Sequence, residues 1–86
     1  MQNEIRILGV HIKNRTHEAV KIQDILTKYG CSIKTRLGLH EVTEDHCSTQ
    51  GIIILELTGD TQECIKLENE LHALDGVEVK KMLFEY

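Results

Sequence analysis

The sequence has no proline, three aromatic residues and an odd number of cysteines, and each of these counts argues against a class of protein. With no proline and no low-complexity segment, no linker can be placed, so residues 1–86 are expected to form a single domain. Three aromatic side chains leave little for stacking on nucleic-acid bases. Three cysteines cannot all pair, and they suit the reduced thiols of a cytoplasmic protein better than a disulfide framework.

Charge and hydropathy exclude further classes. The net charge is −4, and the 14 acidic and 10 basic residues are interspersed, so the basic patch of a nucleic-acid-binding protein is missing. No apolar run approaches the roughly 20 residues of a membrane span. We therefore expect neither membrane insertion nor direct nucleic-acid binding. A domain this small buries only about 60–65% of the surface of its unfolded chain, so association between copies would add stability.

The hydrophobic pattern alternates between a period of two and a helical period. Strands are expected at residues 5–13, 31–39, 51–57 and 77–84, and helices at 17–29 and between Asp60 and Gly76. The order strand, helix, strand, strand, helix, strand repeats one unit twice. It predicts an α+β, ferredoxin-like βαββαβ fold with a four-stranded antiparallel sheet and both helices on one face.

Three residues are expected to have structural roles near the helices. Gly30 follows the first apolar helical stripe and is expected to end that helix in a left-handed conformation. Cys31 alternates in phase with Ile33, and Cys64 lies on the apolar stripe of the second helix. Both thiols are therefore expected in the core.

The side of the sheet opposite the helices, which we call the helix-free face, is expected to carry several apolar side chains. These are Ile5, Ile7, Ile52, Ile54, Met82 and Phe84. An apolar patch of this kind in water marks an interaction surface. We therefore expect a homo-oligomer, a dimer or a tetramer, formed through the helix-free face.

A candidate ligand site follows from charged residues on the second strand. Strand alternation directs Arg36, Gly38 and His40 together toward the helix-free face, near the expected oligomer boundary. Symmetric closure of the hairpin would place Arg36 opposite Glu56 as a cross-strand ion pair. The alternative is that Arg36 binds the carboxylate or phosphate of a small molecule, with Gly38 giving room and His40 or His11 adding a contact.

A second candidate site lies in the polar segment 40–50, which is expected to be a long loop. His40, His46 and Cys47 offer imidazole and thiolate ligands suited to zinc, nickel or copper. Two adjacent ligands in a polar loop do not make a metal signature by themselves. A solvated loop is the alternative interpretation.

Two stretches of the sequence resemble a known family. Residues 5–33, which include VHIKNRTHEAVKIQDILTKYGCSI, resemble the first strand, helix and second strand of ACT domains. The stretches RLGLHE and GIIILELTGDTQECIKLENELHALDGVEVKKM resemble stand-alone ACT-like proteins identified as regulators of the iron-only hydrogenase system. The fold also resembles the C-terminal domain of nickel-responsive repressors. The resemblance implies an ACT-like fold and a regulatory role.

The sequence supports three hypotheses of function. The first is a stand-alone ACT-like regulatory or ligand-sensing module that acts as a homo-oligomer and binds a small metabolite near the subunit interface. The others are a metal-responsive sensor and a structural protein-interaction module. No Ser-His-Asp order, catalytic carboxylate pair or phosphate-cradling glycine loop can be placed, so we do not expect an enzyme.

Overall fold

The computed structural model describes residues 3–13, 15–42 and 47–86, with side chains described except at 15–17, 39–42 and 47–50. The elements are β1 (Glu4–Ile12), α1 (Arg15–Lys28), β2 (Ile33–Val42), β3 (Cys47–Leu57), α2 (Thr61–His72) and β4 (Val77–Glu85). The strands form one sheet in the order β2-β3-β1-β4, and every neighbouring pair is antiparallel. The predicted ferredoxin-like fold is confirmed. Because β2 and β3 extend to the pair Val42 and Cys47, the loop predicted over 40–50 is too long.

One face of the sheet and the apolar stripes of both helices form a single core. Strand β1 contributes Leu8, Val10 and Ile12, which alternate with less buried residues as a half-covered strand should. The other buried apolar residues are Ile22, Leu26, Tyr29, Leu55, Leu57, Cys64, Leu67, Leu71 and Val79. Because α1 and α2 both supply residues to this one cluster, both helices cover the same side of the sheet.

The start of α2 is capped by Asp60, whereas the end of α1 differs from the prediction. The Asp60 carboxylate accepts a hydrogen bond from the Gln62 backbone N–H at 2.8 Å. After α1, the chain enters a 3-10 turn (Gly30–Ser32) in which Gly30 does not adopt a positive φ angle. This turn buries Ser32 and exposes Cys31, so the prediction of a core Cys31 is wrong. Cys64 is buried as predicted.

A β-bulge in β2 changes which side chains face the helices. Ile33 pairs with Leu57, but Thr35 already pairs with Glu56, so Lys34 is an extra residue in the ladder. A one-residue shift moves all following side chains to the opposite face of the sheet. Simple alternation along β2 therefore assigns the wrong face to residues 35–38.

The two helices are joined by a polar cluster at their surface. The Tyr29 hydroxyl donates a hydrogen bond to the Glu70 carboxylate, and the Lys28 ammonium group lies 3.0 Å from the same carboxylate. The hydrogen bond from Tyr29, followed by that from Lys28, lowers the pKa of Glu70 below its ordinary value.

None of the helices in the described part of the chain has the length and apolar character needed to cross a membrane.

The Glu70 cluster predicts a pH dependence of stability. Because the folded-state pKa of Glu70 is depressed, its contribution is present above the ordinary value of 4.5 and is lost as the pH falls through the folded value. The urea midpoint of the wild type should therefore fall more between about pH 6 and about pH 3 than that of Glu70→Gln. Glu63→Gln is the control, since the ion pair that Glu63 makes among the described residues is with Lys66, within α2 itself. An equal fall in the wild type and Glu70→Gln would contradict the prediction.

Candidate functional site

The structure separates Arg36 from the partner that the sequence predicted for it. Arg36 pairs across the strands with Leu55, which is buried in the core, and not with Glu56. Glu56 instead accepts a hydrogen bond from the Thr35 hydroxyl at 3.2 Å and lies 3.7 Å from the Lys34 ammonium group. The predicted Arg36–Glu56 pair is therefore wrong, and the bulge at Lys34 is the physical reason. Arg36 is exposed, on the helix side of the edge strand β2 rather than on the helix-free face.

The other predicted ligand residues do not converge on Arg36. Gly38 pairs with Ile53, on the same side of the sheet as Arg36, and a Cβ atom added there would meet nothing within 4 Å. His11 lies on β1 and pairs with Ile52 and Glu78 on the helix-free face, with 4.0 Å between its Nδ1 and the Glu78 carboxylate. His11 and Arg36 thus lie on opposite faces of the sheet, on strands separated by β3.

The predicted metal site consists of residues whose side chains the structure does not describe. His46 is not among the described residues, and only the backbones of His40 and Cys47 are described, paired with Gly51 and Val42 respectively. Among the described residues, no group of three or more His, Cys, Asp or Glu side chains is placed to hold a metal ion. The metal site therefore stays a prediction, as does a ligand contact from His40.

The helix-free face is apolar, as the sequence predicted. The register places Ile5, Ile7, Ile52, Ile54, Met82 and Phe84 on it, and the bulge adds Leu37. Leu37, Met82 and Phe84 are 52, 54 and 52% exposed. Ile54 lies across from Gly9, where an added Cβ atom would be 4.0 Å from its Cδ1. All four strands therefore contribute apolar side chains to this face, which also carries Glu56, His11, Glu78 and Lys80.

A cleft at the end of the sheet was not expected from the sequence. Strand β3 ends at Leu57, whereas β1 continues past the last β1–β3 pair to Glu4 and pairs there only with β4. The gap forms a cavity of about 180 Å³ that we call the Arg6 cleft. It is lined by Glu4, Ile5, Arg6, Lys34, Glu56, Leu57, Thr58, Gly59, Cys64 and Tyr86.

Arg6 is the unusual residue of this cleft. It shares the helix side of β1 with Leu8 and is only 6% exposed. Its Nη2 donates to the Glu4 carboxylate at 3.2 Å, and its Nη1 lies 3.5 Å from the Glu68 carboxylate. Its Nε atom is buried and has no hydrogen-bond partner in the described part of the chain. A buried cation with an unused donor is costly unless something compensates for it.

The remaining polar groups of the cleft differ in exposure. Lys34 also lines the cleft, and its side chain is 64% exposed. The Cys64 thiol lies 3.4 Å from the Thr58 carbonyl oxygen, to which it can donate, and burial raises the pKa of this thiol. Cys64 is therefore poorly suited to act as a nucleophile. The arrangement is suited to binding a charged group rather than to covalent catalysis.

A sequence signal for Arg6 was present. Arg6 stands two residues before Leu8, in phase with the buried positions Val10 and Ile12. A charged residue in phase with a buried strand face requires a partner, which marks it as a candidate binding residue.

Comparisons with known proteins establish the fold. No family model matches the chain, and no curated protein sequence matches it. Among solved structures, an uncharacterized protein from Thermotoga maritima is similar, with a TM-score of 0.77 and 22% identity over 95% of this chain and 99% of that chain. A nitrogen regulatory PII-like protein from Thiomonas intermedia, bound to ADP, AMP and bicarbonate, has a TM-score of 0.58 and 13% identity over 98% and 93% of the two chains.

A third similar structure is the divalent ion tolerance protein CutA1 from Ehrlichia chaffeensis. Its TM-score is 0.57, with 21% identity over 95% of this chain and 81% of that chain. These likenesses are consistent with an ACT-like arrangement of the ferredoxin-like fold. Membership of the iron-only hydrogenase regulators stays a prediction.

The position of Arg36 predicts that its charge contributes little to stability. Arg36→Met leaves both contacts of Glu56 in place, so the free energy of unfolding should change by less than about 0.5 kcal/mol. Thr35→Val is the matched change on the same strand, and losing its hydrogen bond to Glu56 should cost about 0.5–1 kcal/mol. Urea denaturation of both variants measures the difference. A larger loss for Arg36→Met than for Thr35→Val would show that Arg36 does pair with Glu56.

Proposed function

We propose that this protein is a regulatory, ligand-sensing module that works as a homo-oligomer assembled through its helix-free face. The observation that carries the proposal is the apolar surface on that face, to which all four strands contribute. Contiguous apolar patches of this kind mark interaction surfaces in soluble proteins. Covering a half-exposed Leu, Met or Phe side chain contributes roughly 1 kcal/mol, so several together add appreciably to the stability of a small domain.

A second copy of the chain fits this face because the charged side chains beside its apolar residues carry both signs. Glu56 pairs with Ile7 on one side of β1, and Glu78 and Lys80 pair with His11 and Gly9 on the other. In a twofold arrangement the same patch meets itself, so acidic and basic side chains of the two copies can face each other. The apolar side chains supply the buried core of such an interface.

The sensing role is supported by the fold and by the resemblance of the sequence. The ACT-like stretches resemble regulatory proteins, and the Thiomonas PII-like structure is that of a nitrogen regulatory protein bound to small anions and nucleotides. At the low identities observed, these proteins indicate what the fold can support rather than which ligand this chain takes. The Arg6 cleft is the described cavity in which a buried polar group lacks a partner.

The proposal includes no catalytic activity. The shifted pKa values near α1 and α2 arise from surface contacts such as Lys28 with Glu70 and Lys66 with Glu63. In the cleft, burial makes the Cys64 thiol harder to ionise. These shifts do not build an acid–base pair around one point, as general acid–base catalysis requires.

The helix-free face predicts which substitutions dissociate the protein. Ile54→Glu and Met82→Glu place a charge in the proposed interface, and each should convert the oligomer to a monomer. Val20→Glu is the control, because Val20 is 72% exposed on α1, away from the sheet. Size-exclusion chromatography with light scattering measures the mass of each protein. Met82 is already half-exposed in one chain, so its replacement should leave the fold intact by circular dichroism.

Equal masses for all three variants and the wild type would refute assembly through this face. The sensing role is measured separately, by thermal-shift screening of the assembled protein against amino acids, nucleotides and anions. A ligand at 100 times its Kd should add about 2.7 kcal/mol to the free energy of unfolding. If none of these compounds stabilises the protein, the module would serve assembly alone.

A further inference from the structure

We propose that the Arg6 cleft binds a small oxyanion, a phosphate or carboxylate group held between the Arg6 guanidinium and the Lys34 ammonium group. The proposal names the ligand class of the sensing function and rests on it, whereas assembly through the helix-free face is independent of it.

The first observation is the position of Arg6. Its cross-strand partners are Leu57 and Leu83, and its neighbour on the same face of β1 is Leu8. An apolar side chain would fill this position without desolvating a charge. An arginine at this position is explained if its guanidinium binds an oxyanion, because the planar N–H donors of that group match the geometry of an oxyanion.

The second observation is that the contacts made by Arg6 leave part of its donor set unused. The edge formed by Nε and Nη2 is the one that grips an oxyanion in a side-on, two-point contact. Glu4 contacts this edge at Nη2 only, and the buried Nε has no partner in the described part of the chain. Glu68 contacts the other end at 3.5 Å and is shared with His72 and Lys81.

The third observation is that a second cationic residue lines the same cleft. This residue is Lys34, the extra residue of the β2 ladder. The Lys34 contact with Glu56, at 3.7 Å, is long and mostly exposed, so an anion can compete for it.

The carboxylates of Glu4 and Glu56 set the preference among anions. They also line the cleft, so an anionic ligand must attract Arg6 and Lys34 more strongly than these two carboxylates do. A phosphate group, with its charge near −2 at neutral pH, competes better than a monovalent carboxylate. A cavity of about 180 Å³ accommodates the anionic group and not a whole nucleotide.

The experiment titrates the assembled wild-type protein with inorganic phosphate and with acetate, keeping the ionic strength constant with sodium chloride. Heteronuclear NMR follows the Arg6 Nε–H signal and the backbone amides of Thr58 and Gly59, and calorimetry gives the Kd. Phosphate should shift the Arg6 signal saturably and bind about tenfold or more tightly than acetate. An arm with AMP distinguishes free phosphate from a phosphate carried on a larger molecule.

Two lysine variants provide the matched test. Lys34→Gln should weaken phosphate binding about fivefold or more, because it removes one of the two cations. Lys66→Gln removes the same charge from a side chain of nearly equal exposure outside the cleft, 65% against 64%, and should change the Kd less than about twofold. Arg6→Lys keeps the positive charge without Nε, so it should abolish the two-point contact. If Arg6→Lys does not fold, Lys34→Gln still tests the proposal, because Lys34 is an exposed residue.

Three results would overturn the proposal. These are no saturable shift of the Arg6 signal, shifts confined to residues outside the cleft, or equal weakening by Lys34→Gln and Lys66→Gln, which would indicate non-specific charge attraction. Light scattering on the same samples separates this failure from failure of assembly. An intact oligomer that does not bind phosphate would refute the anion site alone, and a monomer that binds it would refute the interface alone.

Discussion

A four-stranded sheet has two faces, and two helices can cover only one of them. In this protein the covered face holds the core, in which Leu8, Leu55, Leu67 and Leu71 are fully buried. In the described part of the chain no second layer covers the helix-free face, and yet all four strands place apolar side chains on it. Most single-domain proteins with one open sheet face place polar residues there. The apolar composition of the helix-free face is therefore the feature on which the proposed assembly depends.

The β-bulge at Lys34 links the fold to the candidate site. By adding one residue to β2, it places Leu37 on the helix-free face and Arg36 on the helix side. Lys34, the extra residue of this bulge, also lines the Arg6 cleft. The irregularity thus adds an apolar side chain to the helix-free face and lies at the candidate site.

The order of elements and the open face could be predicted from the sequence because each depends on periodicity. The alternation of β1 and the stripe of Cys64, Leu67 and Leu71 in α2 correspond directly to burial. The pairing of Arg36 could not be predicted, because alternation assumes an unbroken ladder and nothing in the segment around Lys34 distinguishes a bulge from a regular strand. The exposure of Cys31 has a similar cause, since a 3-10 turn replaces the expected strand start.

The candidate site was only partly predictable for a different reason. Sequence patterns pointed to histidines and to Arg36, which stand out because they lie among apolar residues. Arg6 is one of two described residues with an unsatisfied buried side-chain atom, the other being Glu18, and its significance depends on the end of β3, the start of α2 and the carboxylates of Glu4 and Glu68. Contacts between elements so distant in the chain are set by the fold, so a single sequence does not reveal them.

The central claim is that the helix-free face is covered by a second copy of the chain. Sedimentation equilibrium of the unmutated protein over a dilution series from the high to the low micromolar range tests it most directly. The account predicts a mass of two chains or a higher multiple throughout the upper part of this range, with dissociation only on dilution. A mass of one chain at every concentration would contradict it.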